Sequence, residues 1–171
     1  MARIRKFTAY RKLERPYTRF SKYRKLSYVR SRPVCKVVRF TMGDENQKYD
    51  HTIHLVTKDS VQVRDNAIEA ARKTMNHLLE KTCGKQGYSL QIRMYPHHVL
   101  RENPLASGAG ADRMSTGMAH NFGKPIGRAA QVKDGKILIT LRIMKAHIET
   151  GKRAVKRASY KLPCRTSIVV M

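Results

Sequence analysis

The stretch 93–127, RMYPHHVLRENPLASGAGADRMSTGMAHNFGKPIG, sets a short apolar strand beside a long run of glycine, alanine, serine and threonine. Side chains this small bury too little apolar surface to build a core, so something outside the run must hold it. The chain carries 36 Lys and Arg against 12 Asp and Glu, which makes a polyanion the natural holder, with backbone amides free to approach its phosphates.

At 171 residues, of which 41% are apolar, the chain can fold as one compact domain with extensions that need not join its core. A formal charge of +24 repels itself in isolation and favours a partner that neutralises it. No apolar run reaches the roughly 18 residues that span a bilayer, and the N-terminus lacks the apolar stretch of a secretory signal, so a cytosolic protein is expected. Anionic lipid would call for a basic amphipathic helix, whereas the cations here are spread along the whole chain. Cys35, Cys83 and Cys164 are odd in number and far apart, which excludes a disulfide framework and a thiolate zinc site and predicts buried reduced thiols.

Residues 1–32 hold twelve Lys or Arg against the single Glu14, interleaved with Phe7, Tyr10, Tyr17, Phe20, Tyr23 and Tyr28. The segment shows neither helical nor strand period. Its guanidinium groups and rings are the parts that pair with phosphates and stack on bases, so it reads as an arm ordered by RNA. Residues 33–171 then form a single α+β domain, with 99–125 as an extended functional loop.

Within that domain Val34, Val37, Val38 and Phe40 make one candidate strand and residues 49–56 another, joined by the turn-rich 43–48. Asn66, Ala67, Ile68 and Glu69 read as a capping box, and a helix follows with Ile68, Ala71, Met75, Leu78 and Thr82 on its buried face and Gly84 at its end. Tyr88, Leu90, Ile92 and Met94 alternate with polar residues as a strand ended by Pro96. Residues 126–132 and 136–143 are two strands across Asp134 and Gly135, a dipeptide that favours a tight hairpin. A second helix over 146–162 puts Ile148, Gly151, Val155, Ala158 and Leu162 on one side and Lys152, Arg153, Lys156 and Arg157 on another; an apolar strand over 165–171 closes the chain. The order suits an α+β sandwich of mostly antiparallel sheet with two main helices.

Enzymatic and cofactor signatures are weak. Gly108, Gly110 and Gly117 do not complete a dinucleotide or Walker loop, since Arg113 stands at the third fingerprint position. The Gly84–Gly87 pair resembles the backbone clamp of KH domains, but it leads into a strand where that module has a helix. His97 and His98, being adjacent, point to opposite faces of an extended chain and cannot share a metal. No residue is placed as an activated nucleophile, so neither catalysis, nor a cofactor, nor a metal is expected. The four cations of the second helix lack offsetting acids after Glu149, which favours phosphate contact over a solvated face.

The motifs AGADRMSTGM, PHHVLREN upstream of it and FGKPIGRAA downstream, with IEAARKTMNHLLEKTCGKQGY and the arm sequence RPYTR, resemble the universal large-subunit ribosomal protein family called L-sixteen in bacteria and L-ten-e in archaea and eukaryotes. The resemblance covers most of the chain, and its length is similar to that of archaeal members. It implies a hammerhead-like α+β domain on large-subunit ribosomal RNA, in contact with neighbouring ribosomal proteins and not forming a homo-oligomer. It also implies a glycine-rich loop directed toward the peptidyl-transferase region that helps position aminoacyl-tRNA, a part in late subunit assembly, and no catalysed reaction. By motif match Arg101, Asn103, Ser107, Gly108, Ala109, Gly110, Ala111, Asp112 and Arg113 would form the loop near the tRNA, flanked by Lys124 and Arg128. Ribosomal RNA would be held by Arg3, Arg5, Lys6, Arg11, Lys12, Arg15, Tyr17, Arg19, Lys22, Arg24 and Lys25 of the arm, by Lys124 and Arg128, and by Lys152, Arg153, Lys156 and Arg157. Many relatives of this type have Asn-Lys-Met where this chain has Asn103, Pro104 and Leu105, so one loop cation is absent and the loop entrance is stiffened. The alternative reading is an RNA-binding assembly or tRNA-handling factor outside the ribosome.

Overall fold

A computed structural model describes residues 5–18, 22–26, 28, 29 and 32–171. Among these residues eight strands and three α-helices follow one another as β1 (Thr41–Gly43), β2 (His51–Thr57), β3 (Val61–Arg64), α1 (Asp65–Cys83), β4 (Tyr88–Ile92), β5 (His98–Glu102), α2 (Ala111–Met114), β6 (Lys124–Val132), β7 (Ile137–Ile143), α3 (Ile148–Ser159) and β8 (Thr166–Val170). The strands form a five-stranded sheet ordered β1-β4-β7-β2-β8 and a three-stranded sheet ordered β3-β6-β5. Every pairing is antiparallel, as the α+β reading expects.

The large sheet is built from rows of apolar residues in register. Leu90 pairs with Leu141, Leu141 with Ile53 and Ile53 with Val170; one row over, Ile92, Ile139, Leu55 and Ile168 follow the same order. Strand alternation puts both rows on one face. There α1 and α3 cover them and pack on each other, with Ile68, Ala71, Met75 and Leu79 of α1 and Ala154, Val155 and Ala158 of α3 at 0–1% exposure. The α1 face differs from the sequence reading in one place: Leu79 is buried, while Thr82 is exposed and returns its hydroxyl to the Leu78 carbonyl at 2.9 Å. Val61 and Val63 of β3 and Ala130 and Val132 of β6 join the same core, so the two sheets share it.

Three local expectations are corrected. The Asp134–Gly135 turn forms, with Gly135 at φ 74°, but β6 and β7 are not a hairpin because they belong to different sheets. Gly135 donates its N–H to the Thr57 carbonyl at 3.0 Å, so the β6–β7 turn crosses between sheets beside the β2–β3 connection. The capping box is also absent: α1 begins at Asp65 and no side chain caps it. Instead Asp65 accepts the Lys36 N–H at 3.2 Å and Glu69 accepts the Val38 N–H at 3.3 Å. Those bonds account for the third correction, since the backbone over 34–40 is tied to the start of α1 and forms no strand there. Val34 is 87% exposed and Val38 71%, leaving Val37 as the residue that enters the core. The cysteines are free thiols, half-buried rather than buried.

Candidate nucleic-acid interface

The small sheet turns one face to the shared core and offers the other to the N-terminal segment. Residues 5–18 lie along it. Tyr10 packs with Leu100 and Ala129 as a second small apolar cluster. Its phenol donates to Glu102 Oε2 at 3.3 Å, and burial together with that carboxylate raises the phenol's pKa. The same carboxylate pairs with Arg5. Gln62 Nε2 donates to the Lys12 carbonyl, Gln131 Nε2 to the Glu14 carbonyl at 2.8 Å, and Arg64 Nη1 to the Arg5 carbonyl at 3.0 Å. Backbone and acid thus hold the segment, and the side chains of Lys6, Arg11, Lys12 and Arg15 remain exposed.

At its far end the segment meets the root of the loop. Tyr17 donates its N–H to His98 Nδ1 at 2.8 Å and accepts the Val99 N–H at 3.2 Å. His98 is 4% exposed, and burial lowers its pKa, which keeps the ring neutral and Nδ1 able to accept. The neighbouring His97, just before β5, is exposed. The Tyr17 ring meets Phe122 edge-on at 5.5 Å, and the Arg101 guanidinium lies 4.8 Å from the Tyr17 centroid and 4.0 Å from that of Phe122.

The loop over 103–123 joins β5 to β6, whose pairing runs out to Glu102 opposite Lys124. The range 99–125 therefore includes paired strand at both ends. Asn103 Nδ2 donates across the loop to the Gly117 carbonyl at 3.2 Å. Gly108 and Gly110, at φ 114° and 85°, lead into α2, and Ala111 N–H closes the turn on the Gly108 carbonyl at 3.1 Å. Ser107, Gly108, Ala109, Gly110 and Arg113 are exposed, and Ala111 is half-buried. Arg113 stands in α2 with no ion-pair partner among the described residues.

The remaining predicted cations divide by place. Lys22 and Lys25 are exposed, Lys22 lying 5.2 Å from the Tyr23 ring, and Lys124 is exposed at the start of β6. Arg128 is only 8% exposed, with its guanidinium 5.7 Å from the centroid of Tyr95. Lys152, Arg153, Lys156 and Arg157 are all exposed on α3, over the large sheet and apart from the arm and loop. Glu149 stands 3.9 Å from Lys152. Arg3 and Arg19 lie outside the described residues, as do the side chains of Arg24 and Asp112.

Five ion pairs are formed among the described residues, by Glu102, Glu69 (twice), Glu149 and Asp59. Against 36 cations these leave broad positive surface on the arm, the loop and α3, the footprint of a phosphate-binding protein. Among the described residues no three His, Cys, Asp or Glu side chains gather as metal ligands, and no helix is long and apolar enough to cross a membrane.

A family model described as ribosomal protein L16p/L10e matches residues 15–169. The chain belongs to this family. Archaeal relatives named large ribosomal subunit protein uL16 are similar along nearly their whole lengths. The one from Staphylothermus marinus is 47% identical over 91% of this chain and 90% of its own. Those from Archaeoglobus fulgidus and Methanococcus aeolicus are 44% and 41% identical, over 94% and 98% of this chain and 89% and 94% of their own. An L16p/L10e protein is a structural ribosomal protein and not an enzyme, in keeping with a surface rich in cations. Two features of this interface were not read from the sequence. Glu102 and His98 as anchors of the arm, and Phe122 as the ring facing Arg101, become visible only when the arm lies on the small sheet.

Proposed function

We propose that this L16p/L10e protein is a cytoplasmic constituent of the large ribosomal subunit that binds ribosomal RNA and helps position aminoacyl-tRNA near the peptidyl-transferase centre. The observation that carries the reading is the charge arrangement: exposed cations on the arm, the loop flank and α3, on a chain with 36 Lys and Arg against 12 acids, of which Glu102, Glu69 and Asp59 are engaged within the fold. Lys6, Arg11, Lys12, Arg15, Lys22, Lys25, Lys124 and the α3 quartet neutralise RNA phosphates. Neighbouring ribosomal proteins complete the surroundings. The loop over 103–123, rooted by Arg101 and Asn103, carries small side chains and exposed backbone at 107–110 that suit close approach to crowded nucleic acid. Arg113 is its outward-facing cation and the one that reaches the tRNA.

Sucrose-gradient sedimentation of cell extracts tests the reading. The protein is expected to travel with large subunits at moderate salt. Recovery only in light fractions would favour an assembly or tRNA-handling factor outside the ribosome.

A further inference from the structure

We propose that the junction of the two sheets holds a pocket for one unstacked RNA nucleotide, its base lying at the Tyr95–His97 corner and its phosphate at Lys133 and Lys136. The inference rests on the RNA-binding reading above and adds residues that reading does not use. Where the chain leaves β4 for β5 and where β6 turns into β7, a cavity of about 340 Å³ opens, roofed by Leu13 and Pro16 of the arm. That volume lies at the lower end of the roughly 300–1,000 Å³ of small-ligand sites.

The lining has two parts. Tyr95 remains 43% exposed although it stacks on Phe40, with centroids 5.1 Å apart, and His97 stands 4.6 Å from it at 49°. Met94 and Ala130 close the apolar floor, both nearly fully buried. Around this run Arg93, Lys133 and Lys136, all exposed, and no carboxylate belongs to the lining. Asp134 shares the turn with the two lysines and donates its N–H to Ser60 Oγ at 3.1 Å; its side chain is not part of the wall. Behind Tyr95, Arg128 is buried with its Nε lacking a hydrogen-bond partner among the described residues. A buried guanidinium with an unpartnered donor adds positive potential beneath the ring.

Aromatic rings flanked by cations are how proteins hold unstacked bases, the ring offering a surface that any base can stack on and the cations taking the phosphate. Duplex RNA keeps its bases stacked and could use only the lysines.

The test compares the full chain with Y95A, Y95F and K133A/K136A by fluorescence anisotropy, using a short labelled oligouridine and an RNA duplex over a range of salt. Y95A is expected to weaken oligouridine binding about tenfold while leaving duplex binding unchanged, and Y95F to keep most of the affinity. The double lysine variant should flatten the single-strand salt slope by about 0.7, the share of the one phosphate no longer neutralised. As a measurement on the unaltered chain, oligouridine carrying 4-thiouridine should crosslink on irradiation to the peptide spanning 93–98. If oligouridine binds with steep salt dependence but Y95A matches the wild type and crosslinks fall elsewhere, the pocket is overturned and the RNA reading stands. If neither RNA binds the wild-type chain, both fall. Equal binding of an oligoglutamate peptide, equally lost in Y95A, would overturn the nucleotide assignment in favour of an acidic peptide.

Discussion

Arg101 and Phe122 face each other across the root of the loop, the guanidinium 4.0 Å from the ring centroid and its Nη1 donating to the Phe122 carbonyl at 3.1 Å. With Tyr17 against the same guanidinium, one side chain joins the arm, β5 and the far end of the loop.

Two arginines of one loop should therefore behave differently. Arg101→Ala removes two cation–π contacts of about 0.5–1 kcal/mol each at an accessible site and a charged hydrogen bond, so local stability should fall by about 2 kcal/mol. Amide exchange at Tyr17, at Val99 and through 103–123 should quicken. Arg101→Lys should recover little of this, because an ammonium keeps the charge and loses the planar stack. Arg113→Ala should leave exchange unchanged and weaken tRNA positioning in subunits that retain the protein. Equal exchange in both variants would remove Arg101 from the clamp.

The Tyr17–His98 bond makes arm docking sensitive to pH. Folding lowers the His98 pKa below its unfolded value near 6.5, chiefly by burial, which Glu14 opposes and Arg101 aids to a smaller extent. The folded state then binds fewer protons, so the contribution is complete above that unfolded value and is lost as pH falls through it toward the folded pKa. Protection of the Tyr17 amide, its exchange taken relative to an unstructured amide at the same pH, should fall between about pH 7 and pH 5. His98→Gln, which can accept the same N–H without titrating, should flatten that change. His54 is shifted the same way by burial, Arg93 and Arg142, so the global unfolding curve of the variant should keep part of its pH slope.

Gly151 of α3 lies close against the large sheet. A β-carbon there would stand 2.8 Å from Ile53 Cδ1 and 3.4 Å from Leu141 Cδ2, both on fully buried side chains. Gly151→Ala gains up to about 1 kcal/mol of helix propensity and loses a similar amount to crowding, giving a near-neutral urea midpoint. Gly151→Leu cannot be accommodated by one methyl shift and should cost about 3 kcal/mol or more.

Neutralising Lys152, Arg153, Lys156 and Arg157 together should leave the fold intact, since all four are exposed while the apolar side of α3 is buried. Affinity for ribosomal RNA should fall, and the salt dependence should lessen by about one for each cation that touches a phosphate. An unchanged slope would show that α3 faces solvent or protein in the subunit.

Much of the scaffold was legible in local periodicity. Most of the buried side of α1, its end at Gly84, the apolar row Tyr88, Leu90 and Ile92 and the two faces of α3 each follow from spacing within a single element, although Ser89, between Tyr88 and Leu90, is buried as well. What misled was short-range chemistry that has more than one use. Asp134 and Gly135 make a tight turn whether the strands beside them pair with each other or leave for separate sheets. Glu69, spaced like a capping partner of Asn66, meets Arg72 at 2.6 Å and the Val38 N–H instead, and these contacts outweigh burial and leave its pKa lowered.

The candidate interface divides the same way. Composition alone made this a polycation, and motif spacing alone marked the loop and its family, because charge and order along the chain do not depend on how it folds. That Glu102 anchors Arg5 and Tyr10, that Arg101 is held while Arg113 points outward, and that Tyr95 meets Lys133 and Lys136 at one cavity depends on strands and arm segments far apart in sequence. Such meetings are set by the packing of two sheets around one core, and no local pattern encodes which distant backbone a side chain will find.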